Sequence, residues 1–222
     1  MKYIIILSII LNGVLYSYNS KDINNFYNSY YSSNYDINTI KNNSSQTYKN
    51  IYHLIESKKI SDEKEKYNYL KNAINENADY EKSDDTDYLI SVSELMNYIV
   101  YFRGLSEKIS YGSKSKEIYQ KILKKDESNF FALIGTAIAY MHAPAIAGGS
   151  NKKAFEYFNK ALNNANEKYQ KYLSYVWLSQ YYFKVKDNEN YNKYIEMSKN
   201  IYSNGELLKE AIERNNTEQK TL

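Results

Sequence analysis

The stretch that decides the fold runs Leu133-Ile134-Gly135-Thr136-Ala137-Ile138-Ala139-Tyr140 and then, past a loop, Ala154-Phe155-Glu156-Tyr157-Phe158-Asn159-Lys160-Ala161. Large, small and aromatic residues recur in it at steps of three and four, the spacing that puts side chains on one face of an α-helix. Ala137, Ala154 and Ala161 let two helix backbones approach closely, while Tyr140 and Phe158 fill the space beside them. A second copy follows as Tyr175-x2-Leu178-Ser179-x2-Tyr182 and Tyr191-x3-Ile195-x2-Ser198. This copy is looser, because Tyr191 and Ser198 stand where the first has alanines.

Helical spacing extends outward from these hairpins. Tyr48, Ile51, Tyr52 and Ile55 form one stripe, and Tyr67, Leu70, Ala73 and Ile74 a second behind the helix start Ser61-Asp62. Ser83-Asp84-Asp85-Thr86 is a break rich in N-cap residues. After it, Leu89, Val92, Leu95, Met96, Ile99 and Phe102 mark one face of a long helix. Gly112-Ser113 is expected to end that segment, and Ile118, Tyr119 and Ile122 mark a short helix beyond. Gly205-Glu206 opens a last amphipathic element with Leu207, Leu208, Ala211 and Ile212. No stretch alternates as a strand does. The expected fold is all-α: antiparallel helical hairpins stacked as an α-solenoid, with the last helix capping an otherwise open apolar end.

The quoted residues resemble the tetratricopeptide (TPR) repeat, in which such a first helix is followed by an A-x3-F-x2-A second helix. The second-helix triads, starting at Ala154 and Tyr191, are 37 residues apart, the family's period of about 34 plus a short insertion. Lys121 to Asn129 resembles the end of one such unit and the entry to the next, with Glu127 in place of the usual proline. The resemblance covers residues 115–202 by motif and 46–114 by helix pattern. It implies an interaction scaffold whose first helices line a concave face. The matching positions are Phe131, Ile134, Ile138 and Met141, then Leu173, Val176, Gln180 and Phe183. They are mostly apolar and lack the Lys, Arg and Asn set with which chaperone-adaptor members hold a terminal carboxylate. The groove therefore takes an apolar ligand or is filled by the protein's own helices.

The segment from His142 to Ser150 departs from the pattern, making the turn about five residues longer than the family's spacing. It holds the chain's one proline, Pro144, and the pair Gly148-Gly149. Ile146 and its alanines make it apolar, where a plain solvent loop is polar. His142 and Ile146 are candidate partner contacts; the alternative is a tight, buried corner with a positive φ at a glycine and Ser150 capping the next helix. Together with Lys152-Lys153-Ala154-Phe155, the loop is similar to TPR-type periplasmic subunits that accompany some TRAP transporters. That similarity implies a transporter substrate-binding protein as partner. Those relatives are commonly lipid-anchored, and this chain has no Cys to carry a lipid.

Residues 1–20 read as an export signal, with Lys2 before an apolar run from Tyr3 to Tyr16 that falls short of the ~20 residues of a spanning helix. The expected location is periplasmic or secreted, or, if the segment is uncleaved, anchored at the inner membrane. Residues 21–45, rich in Asn, Tyr and Ser, are expected as a spacer, 46–213 as the repeat domain and 214–222 as a frayed polar tail. The 27 Tyr among 222 residues accompany abundant Asn, Ile and Lys, as an A/T-rich coding bias produces. A formal charge of +3 with interspersed signs argues against nucleic acid as a partner. Two His, no Cys and no Gly-rich phosphate loop leave no catalytic, metal or cofactor constellation, and no enzyme is expected. The expected function is protein–protein interaction through the concave face or the 142–150 loop. The alternative is a periplasmic small-ligand carrier or transporter accessory subunit that holds an apolar molecule in the groove.

Overall fold

The computed structural model describes residues 23–102 and 104–222, so the expected export segment 1–20 lies outside the described residues. Helices are the only regular structure among the described residues, and the fold is all-α. None of these helices is long and apolar enough to cross a membrane. The chain divides into two compact units, one of residues 36–164 and one that joins residues 23–35 to 165–222.

The 36–164 unit contains α2 (Ile37–Lys41), α3 (Gln46–Lys59), α4 (Glu63–Asn75), α5 (Thr86–Ile99), α6 (Leu105–Lys125), α7 (Phe130–His142) and α8 (Asn151–Asn163). Consecutive helices pack on one another, and α3 also packs on α5, so the unit is a stack of helical hairpins. Side chains set the helix starts. Asp62 Oδ1 accepts from Glu65 N at 2.7 Å, Asp85 from Tyr88 N at 3.1 Å, and Asn129 from Ala132 N at 3.1 Å. Each satisfies a backbone donor that a helix start leaves without a partner. The turn between α6 and α7 is fixed by Asp126, whose Oδ1 accepts from Ser128 N at 3.0 Å.

The apolar stripes meet in one core in which Leu70, Val92, Leu95, Ile99, Ile118 and Ile122 are buried. Each such side chain contributes about 1.5–3 kcal/mol relative to exposure. One polar cluster crosses this core: the buried amides of Asn50 and Asn77 pair reciprocally at 3.0 Å, and Asn50 Nδ2 also donates to Ser91 Oγ at 3.0 Å. Fully paired buried amides of this kind hold α3, the end of α4 and α5 in one register.

The boundary expected at Gly112-Ser113 is displaced. After Ile99 a single 3-10 turn, Val100–Phe102, ends the segment, and α6 starts behind Gly104 in extended conformation and runs through Gly112 to Lys125. One glycine costs a helix interior only about 1 kcal/mol, which the buried Ile118, Tyr119 and Ile122 offset.

In the other unit α9 (Lys168–Val185) is the central helix, flanked by α10 (Asn188–Ile201), α11 (Glu206–Thr217) and a helix over residues 23–31, here α1. Its buried residues, from Tyr169 and Tyr172 to Leu178 and Gln180, lie on all sides, as befits a helix covered all round. The expected spacer is thus structured. Ile23, Phe26 and Tyr27 are buried, Tyr27 and Tyr31 lie against Tyr169, and the Tyr169 hydroxyl donates to Asn24 Oδ1 at 2.8 Å. The tail is held as well: α11 continues to Thr217, Asn215 and Leu222 are buried, and Leu222 N donates to Gln180 Oε1 at 3.2 Å.

Candidate interaction surface

The expected contact residues separate by burial. Ile134, Met141, Leu173, Val176 and Gln180 are interior, Phe131, Ile138 and Phe183 are half-buried, and His142 and Ile146 are exposed. Gln180 pairs reciprocally with Asn215 at 3.0 and 2.9 Å, so its amide is engaged within the fold. Phe183 packs against Tyr191 with ring centroids 5.6 Å apart. Most of the positions expected to line a groove are therefore buried in the protein's own packing.

The 142–150 turn is a different case. Pro144 and Ala145 carbonyls accept from Ala147 N at 2.9 Å, Gly149 N at 3.0 Å and Gly148 N at 3.0 Å, winding Ala145–Ala147 into a 3-10 turn. Ser150 N returns to the Tyr140 carbonyl at 3.0 Å, and Ser150 Oγ accepts from Lys153 N at 3.3 Å to start α8. Gly148 has φ of +81°, a conformation that costs other residues about 1–2 kcal/mol. A Cβ on Gly149 would overlap the Ala143 carbonyl oxygen. The turn is thus a tight corner, but not a buried one: Ile146 at its tip is 98% exposed.

The base of the turn is aromatic and basic. Tyr140 stacks on Tyr157 with centroids 5.7 Å apart, and the ammonium groups of Lys116 and Lys153 lie 4.8 and 5.3 Å from the Tyr140 ring. Such cation–π contacts contribute about 0.5–1 kcal/mol each at exposed sites. They hold two positive charges at the base of the turn.

The two histidines are not brought together as a site. His53 Nδ1 lies 2.9 Å from the Tyr69 hydroxyl and Nε2 3.6 Å from Glu76 Oε2, a hydrogen-bonded bridge between α3 and α4. Burial, with the nearby Tyr52, Glu56 and Glu76, pushes the Tyr69 phenol up to about 12, so it stays protonated at neutral pH and is a poor nucleophile. Among the described residues no group of three or more His, Asp or Glu is placed to hold a metal ion.

Glu94 on α5 is the one charged residue between Asp87 and Arg103 and stands among the buried Val92, Leu95 and Met96. Comparison with protein-family models, curated proteins and solved structures returned no significant match.

Proposed function

We propose that this protein is an exported, TPR-like interaction scaffold that engages a protein partner through the 142–150 turn. The observation that carries the reading is Ile146, a large apolar side chain 98% exposed at the tip of a turn braced by four backbone hydrogen bonds. A braced apolar tip loses little conformational freedom on binding, and a residue of this kind can anchor an interface. The Lys116 and Lys153 ammonium groups at the base of the turn favour a partner with an acidic rim around an apolar pocket. The groove positions support the reading less, because most of them are spent on the protein's own packing.

The test is Ile146→Ser with paired measurements of melting and of partner capture. The expected outcome is unchanged melting with capture weakened severalfold, since an anchor is worth about 1–2 kcal/mol. Capture that is unaltered in the folded variant sinks the reading.

A further inference from the structure

Tyr140 in the last turn of α7 and Tyr157 on α8 stack with centroids 5.7 Å apart, both half-buried. Three lysines from two helices reach these rings. The ammonium groups of Lys116 on α6 and Lys153 on α8 lie 4.8 and 5.3 Å from the Tyr140 centroid, and that of Lys160 on α8 lies 5.6 Å from the Tyr157 centroid. Lys153 and Lys160 are exposed and Lys116 is half-buried. Farther along α6, Lys121 and Lys125 both reach Asp84, but among the described residues none of the three ring-bound lysines has a carboxylate partner. Neither Glu156, between Lys153 and Lys160 on α8, nor Glu117, beside Lys116 in the chain, forms an ion pair with them. Sharing one ring, the Lys116 and Lys153 charges are at most about 10 Å apart, a Debye length at 0.1 M salt, and repel each other. The negative ring faces offset part of that repulsion, and an anion on the patch offsets the rest.

We propose that this patch docks a carboxylate-rich segment of the protein partner, an inference that rests on the 142–150 turn as the site of engagement and names the partner's chemistry there. Patch and turn are one piece of structure. The Tyr140 carbonyl accepts from Ser150 N at 3.0 Å where the turn closes, and Lys153 stands in the first turn of α8. The ligand class follows from how the charges are held. Ammonium groups are compact point charges, suited to separate carboxylates, whereas a two-pronged grip on one phosphate is arginine's. Ring contacts fix their places, which suits carboxylates at set spacing; a bilayer presents charge as surface density. A free polyanion has nothing to offer the exposed Ile146 at the tip of the same turn, whereas a protein segment brings carboxylates and an apolar pocket together.

The experiment is calorimetric titration of the full chain with acetyl-hexaglutamate-amide, acetyl-hexaglutamine-amide, tripolyphosphate and phosphatidylglycerol vesicles. Saturable binding of hexaglutamate and none of hexaglutamine is expected, with affinity falling as salt rises. The triple variant Lys116→Gln, Lys153→Gln, Lys160→Gln should weaken it about tenfold or more. The control triple Lys49→Gln, Lys64→Gln, Lys209→Gln removes the same charge from exposed lysines elsewhere and should change it by less than about twofold. Ile146→Ser should bind hexaglutamate as the parent does, because the probe carries no apolar pocket. Partner capture thus tests the tip and hexaglutamate tests the patch, so each reading can fail alone. Should the triple variant not fold, the exposed Lys153→Gln and Lys160→Gln serve singly, each with binding about threefold weaker. No saturation by hexaglutamate, equal loss in the two triple variants, or tighter binding of tripolyphosphate or of the vesicles would overturn the proposal.

Discussion

The hairpins α7–α8 and α9–α10 carry the same spacing of side chains and close it in two ways. In α7–α8 the seam is made of small residues, with Ala137, Ala154 and Ala161 wholly buried. In α9–α10 it is aromatic: Tyr182 and Tyr194 stack with centroids 5.5 Å apart, and Tyr191 stands against Phe183 where the first hairpin has Ala154. The turns differ as well. The first hairpin uses the eight residues 143–150, with the left-handed position given to Gly148, whereas the second turns through Lys186-Asp187, with Lys186 itself at φ of +62°. Helix spacing fixes the pairing of helices, and turn length is then free to vary. An apolar tip can be added to one hairpin without altering the pattern of the other.

Breaking the first turn should have the largest effect. Gly149→Ala must displace the Ala143 carbonyl and should cost about 3 kcal/mol in chemical denaturation. A cost under about 0.5 kcal/mol would show that the turn is not tight. Next comes the seam: Ala161→Leu should destabilise by roughly 1–3 kcal/mol through overpacking. Hydrogen exchange should rise in α7 as well as in α8, and a change confined to α8 would count against a shared seam. A smaller gain is expected in the second hairpin. Lys186→Gly relieves a left-handed non-glycine at some cost in unfolded-state entropy, and should raise stability by about 0.5 kcal/mol. A loss there would mean that the Lys186 side chain supports the turn. Smallest of all, Ile146→Ser should leave the melting midpoint where it was, within about 0.5 kcal/mol, because the side chain has almost no contact to lose.

What the sequence made legible follows from how local each signal is. The stripes Leu89 to Ile99 and Ala154 to Ala161, and the N-caps Asp62 and Asp85, are written within a turn or two of chain and are found as helices and caps. Gly112 misled because a glycine marks a boundary only when nothing else holds the helix, and here buried Ile118 and Tyr119 do. The helix over residues 23–31 was missed for the opposite reason. Its Asn- and Tyr-rich sequence has weak helix propensity, and its partners Tyr169, Tyr172 and Tyr202 lie far along the chain. Of the candidate contacts, periodicity could place Ile134 and Leu173 on a helix face, but could not tell a groove from a core. Ile146 stood out because it broke the pattern, and exposure at the tip is what an irregular apolar loop permits.

The helix at residues 23–31 also sets an order of events. Asn24 and Asn28 accept hydrogen bonds from Tyr169 and Tyr202, residues synthesised 145 and 174 positions later. This helix thus completes its packing only after residues 169 and 202 have been made, and the unit it belongs to is discontinuous in the chain. Residues 36–164, a compact unit continuous in the chain, can collapse while α9 is still being made. Each doubling of the connection adds only about 0.6 kcal/mol to the entropy of closure, so the cost of this arrangement falls mainly on speed. Until α9 arrives, Ile23, Phe26 and Tyr27 are an unsheltered apolar edge on a nascent chain, a natural point for a holding chaperone to grip.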